Sequence, residues 1–291
     1  MTSIREALQQ ARRLGGEAAE DAPYLLAHML DKPRSWLYAW PEQQLDEGDL
    51  ARFKALLSRR ARGEPLAYLI GKKEFWSLEL EVTPATLIPR PETERLVELA
   101  LDLLDDHFPG PAIDAGELDS TPKAVRILDL GTGSGAIALA LASEQTSWRI
   151  TATDVSPNAL MVAEKNARRH NLGNIRFLAG HWFHALPEGE RFHLILSNPP
   201  YVAEGDPHLQ AHGLYYEPPE ALTAGTTGLN DLGEIIATAP QHLEPGGWLL
   251  VEHGADQGQA VRDLFHEAGF HDVATRQDLA GRDRVTLGCY S

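Results

Sequence analysis

From Val125 to the C-terminus, short apolar runs alternate with helix-period segments, and no other feature of the chain restricts its fold as much. The runs are Val125–Leu130, Trp148–Thr153, Ile175–Ala179, Phe192–Ser197, Trp248–Glu252, Asp272–Arg276 and Arg284–Cys289. Between most of them lie Ala136–Ser143, Pro157–Arg169, Asp231–His242 and Gln257–Ala268, which carry helical spacing. Strands alternating with helices imply parallel pairing through crossover helices. The last two runs are joined only by Gln277–Asp283, too short for a crossover, so they pair antiparallel or not at all. The expected fold class is α/β: a Rossmann-like, doubly wound, mainly parallel sheet of seven strands.

The first 70 residues read differently. Apolar positions recur at helical spacing in Ile4/Leu8/Ala11 and in Leu50/Phe53/Leu56/Leu57, with breaks at Gly15-Gly16, Pro33 and Pro41. A small helical domain of about four helices is expected over 1–70. Residues 71–123 form a connecting region. Glu74–Val82 alternates as a hairpin strand does, Glu92–Leu104 follows as a helix, and Pro109–Lys123 reads as a loop or tether. The α/β domain then occupies 124–291.

The ends of two strands carry the chemistry. Ser197-Asn198-Pro199-Pro200-Tyr201 follows the apolar run Phe192–Leu196, so it sits at a strand's C-terminal end, where open α/β sheets bind ligands. Asn198 offers a side-chain carbonyl and Pro199 a backbone carbonyl without an N–H of its own. The two prolines restrict the backbone, and Tyr201 adds a flat face. Such a set can grip a planar NH2 group.

Asp129-Leu130-Gly131-Thr132-Gly133-Ser134-Gly135 is a strand end, a glycine-rich turn and a helix start. Its G-x-G-x-G spacing differs from the G-x-G-x-x-G of dinucleotide folds. A tight turn without any ligand is the simpler reading. Asp154, about twenty residues past the glycines at the end of the next strand, weighs against it, because an acid there can accept both ribose hydroxyls. No Lys or Arg lies between Asp129 and Gln145 to meet a phosphate. A locally acidic loop suits a nucleoside with positive charge and no phosphate, and S-adenosylmethionine is such a molecule.

Taken with Ile88-Pro89-Arg90-Pro91-Glu92-Thr93-Glu94, these motifs resemble the peptide-chain release factor glutamine N5-methyltransferases. The resemblance runs on through Gly246-Gly247-Trp248 and Leu279–Arg284 and covers essentially the whole chain. It implies the S-adenosylmethionine-dependent methyltransferase fold. The helical domain is expected to recognise substrate or to pack on its neighbour, and a loop substrate that offers little surface makes it and the Phe75–Val82 hairpin the candidates for a second contact. It implies that Gly131, Thr132, Gly133, Ser134, Gly135, Asp154, Trp182 and Asn198 bind S-adenosylmethionine. It also implies that Asn198, Pro199, Pro200 and Tyr201 hold the glutamine amide, with Asn198, Pro199 and Tyr201 catalytic. The substrate would be the glutamine of the Gly-Gly-Gln motif in class 1 release factors, a protein methylation in translation termination. Three departures stand out: His181 replaces an acidic residue beside Trp182, the Pro109–Lys123 linker is long, and Gly228–Gly233 lacks an aromatic–basic pair.

Composition narrows the alternatives. An adenine-N6 methyltransferase uses the same Asn-Pro-Pro-Tyr on another planar NH2 but needs a nucleic-acid surface and base flipping. A net charge of −16 and no basic cluster oppose that, and no nucleic-acid partner is expected. A nicotinamide oxidoreductase is opposed by the glycine spacing, and a non-catalytic scaffold by the intact tetrapeptide. The one cysteine, Cys289, excludes an intramolecular disulfide and reads as a small buried hydrophobe. No run is long enough to span a membrane, and a cytoplasmic monomer is expected. No metal is expected either, since His181, His184 and His193 lack supporting carboxylates in the sequence pattern. Trp36, Trp40 and Trp76 read as packing residues. Arg90, Glu92 and Glu94 read equally as a helix-start charge cluster or as a gate to the substrate.

Overall fold

The computed structural model describes residues 2–108, 124–210 and 213–291. The expected tether Pro109–Lys123 lies outside them. The chain divides into two compact units, Met1–Lys72 with Pro207–Tyr216, and Lys73–Asp206 with Glu217–Ser291.

The first unit pairs β1 (Thr2–Ser3) with β2 (Gln44–Leu45) and packs α1 (Ile4–Arg12), α2 (Gly16–Met29), α3 (Arg34–Ala39), α4 (Glu47–Ala61) and α5 (Leu66–Ile70). That is one helix more than the expected four among the described residues. Local chemistry sets the helix starts. Ser3 Oγ accepts from Glu6 N at 3.2 Å while Glu6 returns to Ser3 N at 2.9 Å, a reciprocal cap. Asp46 caps α4 through Asp49 N at 2.7 Å. Ile4, Leu25, Leu26, Leu37 and Phe53 are buried at the centre. Tyr216, distant in sequence, joins them by donating to Arg62 O at 3.1 Å.

The boundary falls within β3 (Lys72–Phe75), which Trp76-Ser77, with φ of 51° and 59°, joins to β4 (Leu78–Glu81). Two successive positive φ values are the signature of a tight hairpin turn. A 3-10 turn at Pro91–Thr93 leads into α6 (Glu94–His107). Then follow β5 (Arg126–Leu130), α7 (Ala136–Glu144), β6 (Arg149–Asp154), α8 (Pro157–Arg169), β7 (Ile175–Ala179), β8 (Phe192–Ser197), α9 (Asn230–Thr238), β9 (Leu243–Glu252), α10 (Gly258–Glu267), β10 (His271–Gln277) and β11 (Asp283–Tyr290).

The seven long strands form one sheet in the order β10-β11-β9-β8-β5-β6-β7. The pairs β5–β6, β6–β7, β5–β8 and β8–β9 are parallel. The two pairs made by β11 are antiparallel, as the short β10–β11 connection requires. Successive residues alternate between faces. Ile127, Leu194, Leu196 and Leu250 join the cluster under α6 and α7, while Leu128, Ile195, Leu249 and Val251 join that under α9 and α10. Burial on both faces explains why these strands read as continuous apolar runs.

Two boundaries differ from expectation by four residues or more. The helix expected over Asp231–His242 stops at Thr238, and Ala239–His242 is a 3-10 turn. Pro240 has no N–H to donate and its ring crowds the preceding turn. Strand β9 starts at Leu243 rather than Trp248, with Phe192 opposite Leu243 but Leu194 opposite Trp248. The Glu244–Gly247 excursion, with Gly246 at φ 77°, absorbs the extra residues.

Candidate active site

Strands β6 and β7 lie on one side of β5, and β8 and β9 on the other, so the chain order reverses between β5 and β8. Their C-terminal ends are tied together by Ser197 Oγ, which donates to Leu130 O at 2.8 Å. A cavity of about 730 Å³ opens at this switch point, within the usual size of a small-molecule site.

The glycine-rich turn forms its floor. Gly131 N and Thr132 N both donate to Thr153 O at 2.9 Å, which draws the turn over the end of β6. Gly131 has φ 73°, and a Cβ there would press on the Trp182 ring at 3.0 Å. Gly135 has φ 86°, and a Cβ there would run into Leu139 and Ala163. Asp154 holds the turn and lines the cavity. Its Oδ2 accepts from Gly133 N and its Oδ1 from Ser156 N, each at 2.8 Å. Each oxygen keeps a lone pair for a ligand hydroxyl. Burial raises the Asp154 pKa, opposed by those two bonds.

Asp129 is fully buried beneath the turn. Its Oδ2 accepts from Thr132 Oγ1 at 2.6 Å and from Ala138 N at 3.2 Å, while Oδ1 has no partner. Burial pushes its pKa up to about 7. An acid raised in this way binds more protons folded than unfolded over the interval from the ordinary aspartate value of 3.8 to about 7. Its contribution to stability is full below that interval and is lost as pH rises through it. Asp129→Asn keeps a carbonyl for both bonds and removes the charge. Calorimetry should show the melting temperature of this variant rising relative to the parent between about pH 4 and about pH 7. A difference that stays level, or falls, would rule out Asp129 as the burdened group.

The structure brings Gly131, Gly133, Asp154, Trp182, Asn198 and Pro200 to the cavity. Thr132, Ser134 and Gly135 do not line it. Thr132 bonds Asp129, Ser134 O accepts from Asn166 Nδ2 at 2.9 Å, and Gly135 lets α7 pack on α8. These three shape the turn from inside. Pro199 and Tyr201 do not line the cavity either. The Tyr201 hydroxyl turns inward to Glu252 Oε1 at 3.2 Å, and burial beside that acid pushes its pKa up. The Tyr201 carbonyl accepts from Gln257 Nε2 at 3.0 Å.

Sequence reasoning missed the partners of Asn198. Asn198 Nδ2 donates to Thr93 Oγ1 at 3.1 Å. That leaves Oδ1 as the free end of an amide whose residue lines the cavity. The Pro-Arg-Pro-Glu-Thr-Glu segment is held in turn by buried Glu217, which accepts from Ile88 N at 3.0 Å and pairs with Arg90. Glu94 accepts from Trp76 N at 2.9 Å. Arg90 and Glu94 are therefore internal ties. One signal was available for Glu252: a lone acid closing the apolar run Trp248–Val251.

His181 and Asp231 also line the cavity. The expectation that His181 lacks nearby carboxylates is corrected by the fold. Asp231 and Glu234, one turn apart on α9, bring ligating atoms within 4.8 Å of one another and of His181. The cluster is half exposed, with His181 Nδ1 3.4 Å from Glu234 Oε1. Asp231 is raised by burial, opposed by Trp182 and His181. A carboxylate thus stands beside Trp182 although residue 181 is not acidic.

These residues fit S-adenosylmethionine. Among the described residues the cavity wall carries Asp154, Glu220 and Asp231 and no Lys or Arg, which suits adenosine with a cationic tail and not a phosphate ligand. The comparisons agree. The PrmC N-terminal domain family matches residues 1–71, and a methyltransferase domain family matches residues 122–279. A release factor glutamine methyltransferase of Vibrio cholerae serotype O1 is 49% identical over 99% of this chain and 96% of its own length. The protein of that name from Escherichia coli strain K12 is 46% identical over 99% and 97%.

The chain belongs to the release factor glutamine methyltransferase family.

It is an S-adenosylmethionine-dependent methyltransferase in sequence and in fold. The crystal structure of a methyltransferase from Pyrococcus furiosus matches with a TM-score of 0.51 at 18% identity, over 80% of this chain and 96% of that one. The hMettl16 catalytic domain in complex with MAT2A 3'UTR hairpin 1 matches with 0.56 at 17%, over 91% and 90%. At such identities they bear on the fold alone. Among the described residues no helix is long and apolar enough to cross a membrane.

Proposed function

We propose that this enzyme methylates the side-chain amide nitrogen, N5, of the glutamine in the Gly-Gly-Gln motif of class 1 release factors. The observation that carries the reading is the Asn198 amide. Its nitrogen is committed to Thr93, so its oxygen is the end left to accept. A carboxamide nitrogen is a weak nucleophile because its lone pair is delocalised. S-adenosylmethionine, when bound, supplies an electrophilic methyl group on a sulfonium.

Asn198 Oδ1 accepts a hydrogen of the glutamine NH2 and aims the nitrogen. That bond strengthens as positive charge develops there, so it favours the transition state over the ground state. Tyr201, anchored on Glu252, stiffens the segment that carries it. No general base is required, because an N-methylated protonated amide is a strong acid and releases its proton to water. Asp154 holds the ribose, Gly131 and Gly133 permit close approach, and Trp182 with Asp231 flanks the adenine.

Specificity needs more surface than an isolated loop offers. We assign that contact to the helical unit and place the reaction in the cytoplasm, with the enzyme acting as a monomer. Incubation of a purified release factor with enzyme and cofactor, followed by peptide mass spectrometry, should find one methyl on the motif glutamine. Methylation of duplex DNA in a parallel reaction, with none on the release factor, would replace this reading by the adenine-N6 one.

A further inference from the structure

Glu217 is a carboxylate at 3% exposure, and no step of the methyl transfer uses it. Its two oxygens serve two different donors. Oε2 accepts from Ile88 N at 3.0 Å, and Oε1 accepts from the Arg90 guanidinium. Residues 84–87 line the cavity just ahead of those donors, and residues 218–221 line it just after the carboxylate. One buried side chain therefore ties two stretches of the cavity wall together.

The anchored segment carries the restraint onward to Asn198. Ile88-Pro89-Arg90-Pro91 alternates the two held residues with two prolines, whose rings fix φ and restrict the residue before each. The Arg90 carbonyl accepts from Thr93 N at 3.1 Å, closing the 3-10 turn that leads into α6. Thr93 is buried at the end of that turn, and its Oγ1 accepts from Asn198 Nδ2 at 3.1 Å. An unbroken run of hydrogen bonds across one stiff turn thus joins the Glu217 carboxylate to the Asn198 amide.

We propose that Glu217 is a positioning residue for methyl transfer. By pinning the turn from Arg90 to Thr93, it holds Thr93 against Asn198 and fixes the angle at which Oδ1 meets the substrate nitrogen. This rests on the reading of Asn198 as the amide acceptor. The need for a carboxylate is chemical. Two donors arrive, and a carboxylate offers an acceptor to each. A glutamine amide has one oxygen, so its NH2 would face either the Ile88 N–H or the Arg90 guanidinium, donor against donor. One of the two ties is then lost, and the turn that carries Thr93 is free to shift. A displacement of about 1 Å, caused far from the reacting atoms, can cost about 100-fold in rate.

The test is a double-mutant cycle in the full-length enzyme: parent, Glu217→Gln, Asn198→Ala and both substitutions together. Single-turnover methylation of a release factor is measured at saturating S-adenosylmethionine, with calorimetric cofactor affinity and a melting temperature for each variant. Glu217→Gln should lower the rate about tenfold to a hundredfold in the parent, with cofactor affinity held within about threefold. In the Asn198→Ala background the same substitution should change the rate by less than about twofold, because no amide is left to aim. Thr93→Val should repeat this pattern, and Thr93→Ser should restore the parental rate. A carboxylate that only stabilises the fold would cost the same factor in both backgrounds, and that additive result overturns the proposal. So does cofactor affinity that falls in step with the rate. Should Glu217→Gln fail to fold, Glu217→Asp takes its place in the cycle, since it keeps the charge but withdraws both oxygens by one methylene. If Asn198→Ala alone keeps the parental rate, the acceptor reading fails and this inference with it. If Asn198→Ala is slow and Glu217→Gln is parental, only the anchor fails.

Discussion

Asn198→Ala should lower kcat by about two to three orders of magnitude while S-adenosylmethionine affinity changes only a few-fold. The size follows from what is removed: one pre-positioned oxygen aimed at an atom that becomes positively charged in the transition state. Deleting one such group from an acyl-transfer site typically costs about 10²–10³-fold in kcat. The separation of effects follows from position. Asn198 is one of several lining residues, and Asp154, Gly131 and Trp182 remain in place when it is truncated. Thr93 loses one donor to its hydroxyl oxygen, and no charge is stranded. Single-turnover kinetics with saturating cofactor, together with a calorimetric binding isotherm, would check both halves. A variant with parental turnover removes the chemical basis of the proposal.

Asp154→Ala should act in the opposite sense, weakening S-adenosylmethionine binding by about 100-fold or more. Two contributions add. The carboxylate accepts from Gly133 N and Ser156 N, so its loss strands two donors and loosens the turn under the ligand. It also removes acceptors for the ribose hydroxyls. Stranding a buried donor costs about 1–3 kcal/mol, and each 1.4 kcal/mol is tenfold in affinity. At saturating cofactor, kcat should recover far more than it does in Asn198→Ala, because the amide cradle is untouched. An isotherm within about threefold of the parent would contradict this assignment.

The two variants separate the parts of the site that were legible in the sequence to different degrees. Asp154 was found from spacing alone, because an acid at the end of the second strand occupies a position set by the βαβ unit. Asn198 was found because two prolines after an apolar run cannot continue a strand. Local pattern also located β7, β8 and α8 residue for residue, where apolar runs and a Pro start coincide. It failed where covalent detail overrode periodicity: at Pro240, which cuts α9 short, and at Glu244–Gly247, where extra residues leave the ladder. The inward orientation of Tyr201 was also missed, because nothing near residue 201 announces its partner.

What the sequence determined by itself was the layering of the fold and the chemical type of the site. Hydrophobic period, glycine conformational freedom and the missing N–H of proline act over a few neighbouring residues. Only the tertiary structure decided how the site is held. Thr93 meets Asn198 across 105 positions of chain, and Tyr201 meets Glu252 across 51. Partnerships at such separations depend on strand order and helix docking, so they leave no periodic trace. The direction in which a side-chain amide points is therefore a property of the folded neighbourhood rather than of its own segment.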